Sequence, residues 1–394
     1  MNNPKFSSQF RLPSGIHFLN CATRGPFSIA VEEAGKAAIE GFTPTIHQIR
    51  PEDFFEGAWQ VRHLFAQLIK TEEADRIAIV PSVSYGMAVV ARNLHRKPGL
   101  RAGQHILILA DEFPSDVYAW ERVGKELSLE IKTVQKPATE NVQKNWNVRI
   151  LEAIDADTAL VVVPHVHWQD GTLFDLGAIG QRTKEVGALL AIDGTQSVGA
   201  LPIDIEAIRP DALVCVAYKW LMGPYSMGLA YFGAFFDDGI PLEETWMART
   251  DSHIFYQLTE YQSEYRPKAY RYNVGEHSHF IQMPMLEVAL RQKLAWTPEA
   301  IQAHCAKLWE QQESALASLG IPLPPATQRA HHLVGLSLPT HVNTLRVQQI
   351  LAESKVIVAA RGRSVRVSPH LYNTPEDMEA LVAALGEGLR IIES

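Results

Sequence analysis

Residues 212–232 read ALVCVAYKWLMGPYSMGLAYF. The run 212–217 is apolar throughout, as a strand buried on both faces must be. Gly223 and Pro224 turn the chain, and 228–232 supply the next apolar strand. Between the two stand Tyr218 and Lys219. A lysine at the end of a buried strand loses hydration, which disfavours its charged form and lowers its pKa. An amine freed in this way condenses with carbonyl compounds to a Schiff base. The same residue also reads as an ordinary strand-end cation whose stem runs along apolar surface to water.

Upstream, residues 188–200 read ALLAIDGTQSVGA, an apolar strand ending in Asp193 with Gln196 three positions on. The 26 residues from Asp193 to Lys219 leave room for a strand–helix–strand crossover. Both side chains then lie at one edge of a parallel sheet, where open α/β folds take their ligands. A carboxylate beside a Schiff-base lysine suits pyridoxal phosphate, because the acid keeps the pyridine nitrogen protonated and the ring can accept electrons. Asp193 also reads as a helix N-cap, since Asp-Gly after a strand commonly opens a turn.

IDGTQSVGALPID (192–204) followed by AYKWLMGPYSMG (217–228) resembles the class V aminotransferase family of pyridoxal-phosphate enzymes, which includes cysteine desulfurases, kynureninases and isopenicillin-N-epimerase-like proteins. The resemblance runs from about His17 to near the C-terminus. It implies an α/β fold of the aspartate-aminotransferase type (fold type I): a large, mixed, mainly parallel sheet domain and a smaller C-terminal α+β domain. It also implies a homodimer with shared active sites and an amino-acid substrate. The expected divisions are an arm at 1–15, a cofactor domain at 16–282 and a small domain at 283–394.

In RIAIVPSVSYGM, Ser82, Val83 and Ser84 precede a helix, and small residues at a helix N-terminus favour an anion. The family has its phosphate loop here, and Ser82 alternatively is a plain N-cap. Phe113 stands where the family stacks a ring on the cofactor; the plainer reading is a core phenylalanine. Asn20 and Thr23 match a family stretch lining the substrate site, or else satisfy their own loop. His167 and Trp168 fall where the family contacts cofactor hydroxyl and substrate, with Asp170 as a further donor or proton relay. Tyr218 takes a phosphate-contacting position, while Val216 replaces a family serine. YRYNVGE resembles the segment that crosses to the other subunit's phosphate, which gives Arg271, Gly275 and Glu276. In RGRSVRVSPHLYNTPEDME (361–379), Arg366 matches the arginine holding the substrate α-carboxylate; guanidinium suits a carboxylate because it donates two parallel hydrogen bonds. Arg366 alternatively is a surface strand cation, and Arg361 and Arg363 read as solvated or loop-anchoring.

Composition sets the outer bounds. The 394 residues allow two or three domains, and 46% hydrophobic with 20% charged residues is ordinary for a globular protein. A net charge of −8 argues against general nucleic-acid binding. Cys21, Cys215 and Cys305 are scattered, so no disulfide framework is expected and a cytoplasmic setting is. His165 and His167 lack a third ligand at a recognisable spacing, so no metal is expected. The N-terminal 15 residues carry no apolar signal core, and no run approaches the length of a membrane span. Residues 355–365 contain no cysteine to accept sulfur as a persulfide. The residues therefore favour an aminotransferase, with a carbon–sulfur lyase or an amino-acid epimerase as alternatives. A non-catalytic protein that keeps the cofactor fold for binding or regulation is the alternative of another class.

Overall fold

The computed structural model describes residues 4–137 and 142–390. Twelve strands occur among them: β1 (His17–Phe18), β2 (Ile77–Val80), β3 (His105–Leu109), β4 (Glu130–Val134), β5 (Thr158–Pro164), β6 (Leu189–Asp193), β7 (Ala212–Val216), β8 (Gly228–Phe232), β9 (Val334–Ser337), β10 (Val356–Ile357), β11 (Ala359–Arg361) and β12 (Ser364–Val367). Seven of these form one sheet in the order β2-β8-β7-β6-β5-β3-β4. The strands from β4 to β7 pair in parallel, and β8 runs antiparallel to both of its neighbours. The apolar runs explain the parallel core: β2, β3, β5, β7 and β8 are buried along their whole length, which requires cover on both faces. One face packs Val61, Phe65 and Ile179 from helices, the other Met87, Val90 and Trp120.

The C-terminal part is α+β. Strands β11, β12 and β9 make an antiparallel sheet, and the helices Thr344–Glu353 and Pro375–Arg390 pack Val347, Leu351, Leu381 and Leu385 against it. Two elements make contacts across the expected divisions. Strand β1 pairs in parallel with β10, His17 opposite Val356, so the first strand joins the C-terminal part. The helix Gln282–Trp296 places Met283, Leu286 and Leu290 in the core of the large sheet. The break falls after it instead, at Thr297 (φ 60°) and the Pro298 that opens the next helix. The aromatic stretch after Leu242 is irregular, as expected, apart from single turns at Trp246–Ala248, Phe255–Gln257 and Lys268–Tyr272. Among the described residues no helix is long and apolar enough to cross a membrane.

Candidate active site

The register of the central strands sets the chemistry. Asp193 ends β6 opposite Val214 of β7, and Lys219 follows three residues after β7. Both face a cavity of about 390 Å³ at the C-terminal edge of the parallel strands. The loop carrying Lys219 is braced from the N-terminal segment. The Gly25 N–H donates to the Tyr218 carbonyl at 2.9 Å, and a Cβ at Gly25 would collide with the Lys219 carbonyl oxygen. Only glycine allows that approach.

Burial pushes the Lys219 amine down to about 8; Asp193 opposes the shift, and Arg366 adds to it. Its Nζ lies 5.8 Å from the centre of the Phe113 ring and 5.9 Å from that of Tyr218. Phe113 is no core residue: it is 44% exposed and meets Trp168 edge-on, with centroids 5.5 Å apart. Two further acids sit beside Asp193. Burial, then the neighbouring Asp193 charge, holds the Asp116 carboxyl well above the usual range, and neither of its oxygens has a hydrogen-bond partner. Burial likewise pushes Glu112 up to about 8.

The other expected residues distribute as follows. Ser82, Val83 and Ser84 line the cavity at the N-terminus of the helix Val83–Asn93. Ser82 is also its N-cap, accepting from the Tyr85 N–H at 3.2 Å. Tyr218 lines the same end with its ring 4.4 Å from that of Tyr225. Gln196 reaches the cavity, but its amide is already engaged: Oε1 accepts from Trp220 Nε1 at 2.8 Å and Nε2 donates to the Ala22 carbonyl at 3.2 Å. The buried Arg366 donates to the Trp168 carbonyl at 2.8 Å and to Thr23 Oγ1 at 2.7 Å, so Arg366, Thr23 and Trp168 form one group. Asn20 Oδ1 is buried beside them in the chain without a partner.

Three further groups lie outside the cavity lining. His167 is fully buried and does not face the cavity; its Nδ1 lies 3.5 Å from Asp170, which also takes Lys136. Burial works against a charge on this imidazole, yet Asp170 overrides it and raises the pKa. Gly275 and Glu276 lie away from the chain's own cavity. The Gly275 N–H is spent on Glu243 Oε2 at 2.7 Å, Glu276 points to solvent, and Arg271 binds the Gly239 carbonyl. Arg361 is not loosely solvated: it is half-buried with its guanidinium 5.4 Å from the centre of the Trp168 ring. Asp116, Glu112, Thr195, Tyr225 and Arg361 were not marked by sequence reasoning. Asp116 sits in the first turn of Ser115–Leu127, where an acid is the ordinary answer to the helix dipole and signals nothing further.

The family model Aminotransferase class-V matches residues 45–381. An uncharacterized aminotransferase, YcbU of Bacillus subtilis strain 168, is 26% identical over 331 residues, 80% of each chain. The apo structure of a cysteine desulfurase from Thermococcus onnurineus NA1 superposes with a TM-score of 0.84 at 18% identity, covering all of this chain and 98% of that one. A lysine-to-alanine mutant of C-DES, solved with glycine covalently linked to its pyridoxal phosphate cofactor, superposes with a TM-score of 0.81 at 18% identity over 97% and 99% of the two chains. With Lys219 and Asp193 lining one cavity and Arg366 bonded to the carbonyl of Trp168 at its edge, and with the family model matched over most of its length, the chain belongs to the aminotransferase class-V family of pyridoxal-phosphate-dependent enzymes.

Proposed function

We propose that this enzyme transfers the amino group of an amino acid, with pyridoxal phosphate held at the Lys219 cavity. The observation that carries the reading is the meeting of Lys219, its amine lowered by burial, with Asp193 in one cavity. The residues present fit the cofactor. Thr195 Oγ1 and both Asp116 oxygens are buried and unpartnered, the helix start at Ser82 suits a phosphate, and Phe113 offers an exposed ring face. When bound, pyridoxal phosphate supplies an electron sink for the pair left as the α-proton departs.

This chain's residues divide the remaining work. Asp193 holds a positive charge on the ring nitrogen. Ser82, Ser84 and Tyr218 donate to the phosphate, and Phe113 and Trp168 shield the site from water. Arg366 grips the α-carboxylate and so fixes which bond at the α-carbon stands ready to break. Lys219, with its amine free, would take the α-proton as general base and return it as acid. A sulfur-accepting role is disfavoured, because none of the three cysteines lines the cavity, and burial pushes the Cys21 thiol up to about 12. The half-reactions separate the outcomes. Aminotransfer predicts that an amino acid bleaches the visible band of the bound cofactor and that a 2-oxo acid restores it. Release of pyruvate or sulfide without such restoration would make the enzyme a lyase.

A further inference from the structure

The hairpin β11–β12 carries two arginines into one place. Ala359 stands opposite Arg366 and Arg361 opposite Ser364. Side chains two apart on a strand share a face, so Arg361 and Arg366 are diagonal neighbours on the same face of the hairpin. Trp168 joins them: its carbonyl accepts from Arg366 Nη1, and its ring lies under the Arg361 guanidinium. That tryptophan lines the Lys219 cavity.

Neither arginine is neutralised by an acid among the described residues. Arg366 bonds only to a carbonyl and a hydroxyl, and its Nε is buried without a partner. Arg361 donates to the neighbouring Ala360 carbonyl at 2.7 Å, and its Nε is also buried and unpartnered. Both charges bear on Lys219 and help to lower its pKa. Arg363, in the turn between the strands, differs: it is exposed and ties the hairpin to the Pro339 carbonyl. Arg366 is buried and Arg361 half-buried, and guanidinium groups withdrawn from water without counter-ions are unfavourable unless a ligand brings the charge. An α-carboxylate answers one of them. A second anion is needed for the other.

We propose that Arg361 binds a second anionic group on the substrate, so that the enzyme acts on an amino acid with an acidic side chain, Arg366 taking the α-carboxylate and Arg361 the distal acid. The inference rests on the pyridoxal-phosphate reading above and narrows its substrate class. The flat guanidinium stacked on Trp168 is held in one plane, which leaves its outer edge ready for a carboxylate or sulfonate.

The test is a spectral titration of the holoenzyme. Dissociation constants are read from the shift of the visible cofactor band with L-aspartate, L-glutamate and L-cysteate, and with the neutral isosteres L-asparagine and L-glutamine. Wild type is expected to bind the best acidic amino acid at least about tenfold more tightly than its amide, the scale of one charge-assisted hydrogen-bonded pair. Arg361→Gln should bring that ratio close to one, and Arg361→Lys should restore part of it. Arg366→Gln should weaken acid and amide alike. Equal affinity for acids and amides in wild type would overturn the inference alone. So would an Arg361→Gln variant that weakens both classes by the same factor, since a packing role on Trp168 predicts that outcome. A protein with no visible band and no response to any amino acid would overturn the cofactor reading and this inference with it.

Discussion

At the scale of single residues the site is a balance of buried charge. Lys219 and Asp193 are partners, but Asp116 and Glu112 beside them are held neutral by burial. This separates the roles of two neighbouring aspartates. Asp193→Asn removes the charge that steadies the ring nitrogen and is expected to lower kcat by roughly a hundredfold or more, the scale of losing one positioned electrostatic partner. Asp116→Asn mimics a protonated acid and should keep kcat within about tenfold of wild type while shifting the cofactor band; steady-state assays and absorption spectra of the two variants check this. Arg366→Lys keeps a cation but loses the two-pronged grip and its bonds to Trp168 and Thr23, so KM for the amino acid should rise by about tenfold or more. Lys219 stands out in the sequence as a cation at the end of a buried strand and Asp193 by its crossover spacing, whereas Arg366 is picked out only by the resemblance, since a strand arginine carries no local signal of burial. His167 is placed by the resemblance, and nothing local in the sequence announces its burial beside Asp170.

At the scale of elements, strand ends and helix starts do the positioning. The parallel strands were readable because burial on both faces leaves unbroken apolar runs, and Asp193 and Lys219 met as their crossover spacing required. The irregular pieces were not readable. The first strand pairs with Val356 and Ile357, far along the chain, and no local pattern announces such a partner. The tight seat of Gly25 against the Lys219 carbonyl is equally non-local. Gly25→Ala should force the lysine loop to shift, with kcat falling by about tenfold or more while circular dichroism stays native; a 1 Å displacement is enough for such a loss. Ser82→Ala removes the N-cap of the helix Val83–Asn93 and should lower stability by about 1 kcal/mol in denaturant titration. It should also weaken pyridoxal phosphate retention, because the same hydroxyl faces the cavity.

At the scale of the whole molecule, a buried lysine sits in the seam between the large sheet and the C-terminal part. Lys293 is fully buried, with Nζ 3.3 Å from His370 Nε2 and 4.6 Å from the centre of the Trp296 ring. Burial pushes its pKa down to about 7 from 10.5, and Cys21 offers only slight opposition. The unfolded chain therefore binds the extra proton between those two values. The stability associated with the neutral amine is present at high pH and is lost as pH falls towards about 7. Lys293→Met should remove that slope and raise the Tm by a few degrees at pH 7, by thermal melts across pH 7–10. Ile39, Phe42, Ile46, Ile49 and Ile281 are exposed apolar side chains, and we propose that they belong to the face that meets a second copy of the chain. Sedimentation is expected to give twice the 43.9 kDa chain mass, and Phe42→Glu with Ile46→Glu should shift it towards the monomer. The central claim is that Lys219 carries the cofactor, and borohydride treatment of the purified holoenzyme tests it most directly. The account predicts that the visible band is discharged and that mass mapping finds the reduced pyridoxyl group on the peptide containing Lys219, with none bound irreversibly in Lys219→Ala. Attachment at another lysine, or no attachment in protein saturated with pyridoxal phosphate, would contradict it.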